Sequence, residues 1–175
     1  FYLVFPQAVS HSLPNSFFPT VLRDEADDLM DRDWSSQNYG FDRLGEFLKS
    51  QIVSETNTDF DLIASWRFDR AAIAAFYAGE PERAFVPAFG DQRGFTLWKS
   101  PYLKPGANAL YIERHQSSQR RQGREFQDLR NSFETVGDPI VVDAPYEGHP
   151  FRNFRVYPCY GLKDEGLGQM AKGDL

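Results

Sequence analysis

The sequence predicts an α/β protein: a three-layer α/β/α sandwich, Rossmann-like, around a mostly parallel central sheet with an antiparallel edge near the C-terminus. The chain of 175 residues has the length of one compact domain. Helical patterns alternate with short apolar runs of strand length, which is typical of parallel sheets covered by helices. Two strand-like runs close the chain and favour antiparallel pairing there. We expect the domain over residues 13–163, an arm before it (1–12) and a loose tail after it (164–175).

Two helical patterns come first in the domain. Thr20 can cap a helix over residues 20–34, in which apolar side chains recur at spacings of three and four. The same spacing predicts a second helix over residues 41–53, and Asn57 and Thr58 end it. We expect each helix to turn one apolar face towards the core.

The clearest pattern is a strand, a helix and a second strand. Residues 61–66 form a mostly apolar run that is typical of a buried strand. Asp69 is placed to cap the following helix, and Gly79 and Pro81 end that helix. Residues 83–87 then supply the second strand. A crossover through a helix implies that the two strands are parallel.

The second half of the chain begins with a long loop over residues 88–107, rich in glycine, proline and aromatic residues. A loop of this length in a compact domain is often functional. Gly123 interrupts the helical pattern that follows. The predicted elements are a strand over 109–113, a helix over 118–133, and closing strands over 135–143 and 151–160.

Charge is unevenly distributed along the chain. The net charge of −6 argues against a dedicated nucleic-acid-binding domain, which is normally basic. Residues 20–61 hold eleven acidic and four basic residues, whereas residues 99–130 hold seven basic and three acidic ones. The sequence therefore predicts one acidic helical layer and one basic side.

The residue patterns of common metal and catalytic sites do not occur. Cys159 is the only cysteine, so a cysteine-based zinc site cannot form. His11, His115 and His149 lack the close spacing of metal ligands on a helix. There is no Gly-x-Ser-x-Gly motif, and no Gly-Lys-Ser/Thr follows the glycines near the C-terminus. We expect no metal, no cofactor and no catalytic residue in this chain.

The turn over residues 65–69 is the first candidate site, because ligands of open α/β sheets bind beyond the carboxyl ends of the strands. Arg67 can engage a phosphate or a carboxylate, Trp66 can stack on a sugar ring, and Ser65 can donate a hydrogen bond. The structural interpretation is that Asp69 caps the helix, Trp66 packs in the core and Arg67 pairs with a neighbouring acid.

A basic cluster on the predicted helix is the second candidate site. Arg120, Arg121 and Arg124, with Arg114 and Arg130 nearby, can contact lipid headgroups or a pyrophosphate. Each basic residue near an anionic surface contributes about 1 kcal/mol. The alternative is a solvated helix face, since acidic residues lie among these arginines.

Four segments resemble the C-terminal soluble domain of bacterial membrane glycosyltransferases, the enzymes similar to dolichyl-phosphate-mannose protein mannosyltransferases and to the aminoarabinose transferase of lipid A. The segments are DFDLIASWRFDRAAIAAFYAGEPERAFVP, FTLWKSPYLKPGANALYIERH, FETVGDPIVVD and FRNFRVYPCYGLKD. The matched positions are the aromatic end of a helix at 74–77, the aromatic pair Phe95 and Trp98, and the strands at 109–112 and 156–161. The resemblance covers residues 13–163.

The resemblance implies a parent enzyme that uses a polyprenyl-phosphate-linked sugar as donor and a lipid or a protein as acceptor. Its catalytic acids lie between membrane helices, so this chain alone is not expected to transfer sugar. The domain would sit at the periplasmic face of the cytoplasmic membrane, with the membrane portion of the same polypeptide as its partner. The loop 95–104 and the turn 65–69 would face that portion or the acceptor. The apolar start FYLVF is then an N-terminal arm or the remnant of the last membrane helix.

Two other interpretations stay open. The first is a free-standing Rossmann-like module that binds a sugar phosphate or a nucleotide at the same edge of the sheet. The turn lacks a glycine-rich fingerprint, so a dinucleotide site of the usual kind is not expected. The second is a hydrolase whose triad comes from distant residues, such as Ser65, His149 and Asp143.

Overall fold

The computed structural model describes residues 40–52, 60–93, 100–113, 119–146 and 149–167, with the backbone alone at 119–122, 145–146 and 149–152. All of these residues belong to one compact unit, Gly40–Leu175. The predicted arm over residues 1–12 and the predicted helix over residues 20–34 lie outside the described residues.

The described residues form an α/β fold whose elements follow the predicted order. The helices are α1 (Phe41–Ile52), α2 (Phe68–Ala78), α3 (Gln119–Ser132) and α4 (Asp164–Leu167), with a 3₁₀ turn at Pro81–Arg83. The strands are β1 (Leu62–Ser65), β2 (Ala84–Phe85), β3 (Ala109–Ile112), β4 (Phe133–Val136), β5 (Ile140–Tyr146) and β6 (His149–Leu162). The predicted strand–helix–strand unit is confirmed as β1, α2 and β2.

The strands form one mixed six-stranded sheet in the order β2-β1-β3-β6-β4, with β5 also paired to β6. β1 is parallel to both β2 and β3, whereas β6 is antiparallel to β3, β4 and β5. The α/β class and the parallel pairing around β1 are confirmed. The antiparallel part is wider than the expected edge, because β4, β5 and β6 follow one another through connections too short for a parallel crossover.

Helix α2 begins after Arg67 and ends at Gly79. Gly79 adopts a left-handed φ of 76°, and its N–H donates to the carbonyl of Phe76, so the predicted glycine stop is confirmed. The predicted cap is wrong: Arg67, with an extended backbone, occupies the N-cap position, and Asp69 lies in the first turn. A carboxylate in the first turn still interacts favourably with the helix dipole.

Two hydrophobic clusters form on opposite faces of the sheet. Side chains alternate along each strand, so Leu110 and Tyr111 of β3 belong to different clusters. The first cluster includes buried residues of α1 and α2, such as Leu44, and the second includes Leu129 of α3. A fully buried leucine side chain contributes about 1.5–3 kcal/mol to folding, so burial on both faces stabilises the sheet.

Helices α1 and α2 approach each other closely at Gly45. A Cβ atom at this position would lie 2.5 Å from the backbone carbonyl carbon of Tyr77. The ring of Phe41, at the start of α1, stacks on the ring of Tyr77 with the centroids 6.5 Å apart. A glycine is therefore required where the two helix backbones meet.

Three local predictions differ from the structure. Helix α3 continues through Gly123, because a helix interior tolerates one glycine at a cost of about 1 kcal/mol. The strand predicted over 135–143 is two strands, since Pro139 has no N–H and stands where the pairing with β6 is interrupted. The predicted loose tail over 164–175 begins with α4, and Leu167 is buried in the second cluster.

Candidate functional site

The carboxyl ends of β1 and β3 lie side by side where the chain leaves the sheet in two directions. After Ser65 the chain enters α2, which packs in the first cluster, and after Ile112 it leads to α3, which packs in the second. Adjacent parallel strands with connections on opposite faces define the crevice in which open α/β sheets bind ligands. The predicted turn over residues 65–69 therefore lies at the position where a site is expected.

Ser65 links the two strands at this position. The residue is buried, and its Oγ donates a hydrogen bond to the backbone carbonyl of Ile112 at 3.1 Å. The bond adds a side-chain connection to the parallel pairing of β1 with β3. The hydroxyl proton of Ser65 is thus engaged inside the sheet.

Arg67 and Asp69 form a bidentate ion pair. Nε and Nη2 of Arg67 lie 3.0 and 2.6 Å from the two carboxylate oxygens of Asp69. The backbone N–H of Arg70 donates to the same carboxylate at 2.9 Å. The Arg67 side chain is 41% exposed, so the pair contributes at most about 1 kcal/mol to folding. This ion pair is the one that the sequence analysis gives as the structural alternative to ligand binding by Arg67.

The turn after β2 closes over Trp66. The N–H of Asp91 donates to the carbonyl oxygen of Trp66 at 2.7 Å, and a Cβ atom at Gly90 would lie 2.6 Å from that oxygen. Nε of Arg93 donates to the Asp91 carboxylate at 3.1 Å. The Trp66 ring is partly buried and packs against the second hydrophobic cluster. At least one side of the indole therefore packs against the core.

Glu113 follows β3 directly and is missed by the sequence prediction. Its carboxylate lies 3.8 Å from Nη1 of Arg155, and its side chain is only 10% exposed. The Glu113 N–H donates to the Arg155 carbonyl at 2.9 Å, and the Glu113 carbonyl accepts from Nη1 of Arg70 at 3.2 Å. Burial raises the pKa of the Glu113 carboxyl; Arg155 lowers it, and the nearby carboxylate of Glu125 raises it further.

Two buried side chains near this region, Tyr111 of β3 and Cys159 of β6, keep their protons at neutral pH. The hydroxyl of Tyr111, a fully buried residue of β3, donates to the carboxylate of Glu125 on α3. Burial, and then the Glu125 carboxylate, raise the pKa of Tyr111 well above its usual value, so the hydroxyl keeps its proton. Burial also raises the pKa of Cys159 to about 12. The thiol stays protonated at neutral pH and is a poor nucleophile.

The missed residues carry two signals that sequence reasoning can use. Glu113 is a charged residue immediately after a buried parallel strand, which is a common position for site residues. Glu125 stands one helical turn before Leu129, hence on the inward side of α3. Their partners Arg155 and Tyr111 are distant in sequence, so the pairings follow only from the strand order.

For the other predicted site residues, the structure gives few side-chain contacts. Phe95 and Trp98 lie outside the described residues, and Arg120 and Arg121 are described only as backbone of α3; Arg124 is exposed on that helix.

Within the described ranges, His, Cys, Asp and Glu side chains form no group of three that could hold a metal ion. Nor does any helix in those ranges have the length and apolar character needed to cross a membrane.

The fold and the site define a mixed α/β domain whose carboxyl-end crevice is lined by ion pairs and hydrogen bonds between its own residues. Comparison with known proteins adds no relative: no family model matches the chain, and no curated protein and no solved structure is significantly similar to it.

Proposed function

We propose that this chain is a non-catalytic, soluble accessory domain of a membrane glycosyltransferase, which transfers a sugar from a polyprenyl-phosphate donor at the periplasmic face of the cytoplasmic membrane. The sequence resemblance suggests the parent enzyme, and the observation that supports a non-catalytic role is the polar network at the carboxyl ends of β1 and β3. Ser65, Arg67 and Asp69 bond to other residues of the same chain. A catalytic centre presents a nucleophile, a base and a stabilising donor to one reacting atom, whereas Arg67 and Asp69 bond to each other and Ser65 bonds to the carbonyl of Ile112.

In this proposal the domain is a three-layer α/β/α sandwich of the Rossmann-like kind, and the two hydrophobic clusters on opposite faces of the sheet support that architecture. The catalytic acids belong to the membrane portion of the parent polypeptide, which is the first partner of the domain. The sugar donor and a lipid or protein acceptor are the others. Exposed Arg124, on the same helix as Arg120 and Arg121, supplies positive charge for a lipid phosphate.

The size and location of the native polypeptide test this proposal directly. An antibody raised against the chain would be used to blot fractionated cells of the source organism. A band much larger than 20.1 kDa in the membrane fraction is the expected result. A soluble band near 20.1 kDa would contradict the proposal.

Trp98 is the proposed contact of the domain with the acceptor or with the membrane portion. We predict that Trp98→Ala in the full-length polypeptide lowers sugar transfer about tenfold, which corresponds to a loss of about 1.4 kcal/mol of contact energy in the transition state. Transfer would be measured with a radiolabelled lipid-linked sugar.

The matched control for Trp98→Ala is Phe76→Ala, because Phe76 is 70% exposed on α2. The control should transfer sugar at the wild-type rate. The isolated Trp98→Ala domain should also unfold at the wild-type temperature, so that a lower rate reports contact rather than folding. Unchanged transfer by the Trp98 variant would remove this residue from the proposed interface.

A module that binds a sugar phosphate or a nucleotide is the second candidate function, and the half-exposed guanidinium of Arg67 favours it. A phosphate in the crevice can compete with Asp69 for this group. At a hundredfold excess over Kd, a bound ligand raises the free energy of unfolding by about 2.7 kcal/mol. For this candidate we predict that glucose 1-phosphate or UDP-glucose raises the Tm of the wild-type chain and of the control Arg43→Ala, but not that of Arg67→Ala. An unchanged wild-type Tm would exclude these ligands.

A further inference from the structure

One edge of the sheet is formed by β4 and β5 together. Both strands pair with β6, on the side opposite β3: Val136 is paired with Cys159 and Ile140 with Val156. No strand in the described ranges pairs with the outer side of β4 or β5. Such an edge presents unpaired backbone N–H and C=O groups to any extended chain that approaches it.

The edge also carries exposed apolar side chains. Ile140 and Val141 are 38% and 55% exposed, in a β-branched run that begins after Pro139. β-branched residues are the ones that pack best in strands. The opposite edge of the sheet is different, because β2 has only two residues and both are buried. An exposed run of this kind favours pairing with a further strand.

The charges along the edge are all negative. Glu134, Asp138 and Asp143 are exposed, and residues 133–146 include no lysine, arginine or histidine. Two arginines of β6 are paired with β5: Arg155 lies opposite Val141, with its Nη1 3.8 Å from the Glu113 carboxylate, and Arg152 lies opposite Ala144. A second copy of this edge would place acid beside acid, which destabilises strand pairing. A strand with basic side chains would complement the acidic side chains of β4 and β5.

We propose that the β4–β5 edge binds an extended peptide segment in which apolar and basic side chains alternate, as an added strand of the sheet. Backbone hydrogen bonds to β5 supply the affinity, and the acidic side chains along the edge select for lysine or arginine. The proposal is independent of the glycosyltransferase proposal, because it uses neither the crevice nor the loop 95–104.

Synthetic peptides on the full 175-residue chain test the proposal. The probe is a fluorescent peptide of about ten residues with alternating lysine and valine. One control replaces lysine by glutamate; a second keeps the lysines but has a proline at its centre, which cannot complete the pairing. We expect both controls to bind at least about tenfold more weakly. Equal binding of the proline peptide would reduce the effect to general attraction between opposite charges and overturn the proposal.

Two further measurements locate the binding. The lysine–valine peptide should slow amide hydrogen exchange within residues 133–146, and protection only elsewhere would overturn the proposal. Asp143→Lys should weaken the peptide about tenfold, whereas Glu82→Lys, an exposed acid beside the opposite edge, should leave binding unchanged. If sedimentation shows that the chain associates with itself through β5, the occupant of the edge is a second copy of the chain, and the proposal is contradicted. The peptide controls use the wild-type chain, so the result does not depend on how a variant folds.

Discussion

The carboxylate of Glu113 lies in a nearly buried position beside Arg155, and burial and the neighbouring charge shift its pKa in opposite directions. Removal from water raises the pKa, the guanidinium lowers it, and burial is the larger effect. The folded chain therefore binds this proton more tightly than the unfolded chain does. An acid of this kind adds stability below its ordinary pKa, and that contribution is lost as the pH rises through the folded-state value.

We predict that Glu113→Gln reduces the pH dependence of stability. The wild-type chain should lose more free energy of unfolding than the variant between about pH 4 and about pH 8, because only the wild type must ionise the desolvated carboxyl of Glu113. Urea unfolding followed by circular dichroism at several pH values measures the difference. Glu46→Gln, which changes an exposed acid of α1, is the control and should follow the wild-type curve. Parallel curves for the wild type and Glu113→Gln would contradict the prediction.

At the scale of secondary structure, the pair α1 and α2 depends on one position without a side chain. Gly45 faces the backbone of Tyr77, which cannot move away as a flexible side chain can. Gly123 of α3 is the contrasting case, since no atom of the described residues outside the backbone of α3 lies within 4 Å of a Cβ added there. The two helical glycines therefore have opposite consequences for stability.

We predict that Gly45→Ala destabilises the chain by about 1–3 kcal/mol, because the added methyl group forces the two helices apart. Gly123→Ala should instead stabilise it by about 0.5–1 kcal/mol, because alanine costs less conformational entropy in a helix. Thermal and urea unfolding of both variants measure the pair. Equal effects of the same sign would show that the close approach of α1 and α2 is not required.

The elements that the sequence predicts correctly are those marked by local signals. Gly79 needs a left-handed backbone, and the apolar run of β1 can be recognised without its neighbours. The errors occur where local signals are ambiguous: either Arg67 or Asp69 can precede the first turn of α2, and Gly123 weakens α3 without ending it. A two-residue change in a cap position costs too little to be decided by sequence alone.

At the scale of the whole molecule, the position of the candidate site follows from the sequence, but only part of its content does. The turn over 65–69 follows a recognisable parallel strand. Glu113 meets Arg155 and Tyr111 meets Glu125 because β6 lies beside β3 and α3 packs on the second face of the sheet. That strand order is a property of the complete fold, which no local spacing reveals.

The hydrogen bond between Tyr111 and Glu125 joins the sheet to α3 on its second face, and its loss should lower the stability of the whole fold. We predict that Tyr111→Phe lowers the free energy of unfolding by about 1–3 kcal/mol, because a buried carboxylate loses a donor. The effect should shrink when Glu125→Gln is already present, as a double-mutant cycle measures. Tyr77→Phe, at a residue of α2 that is 46% exposed, should stay within about 0.5 kcal/mol of the wild type.

Strand β6 sets the order in which the chain can complete its fold during synthesis. It has fourteen residues, pairs with three other strands and follows all of them in sequence. Until these residues have emerged, the growing chain can pair β1, β2 and β3, but one side of β3 has no neighbouring strand among the described elements. Contacts between distant segments form slowly, so this partly paired chain keeps an open edge until β6 arrives, and this is the stage at which a chaperone would protect the protein from aggregation.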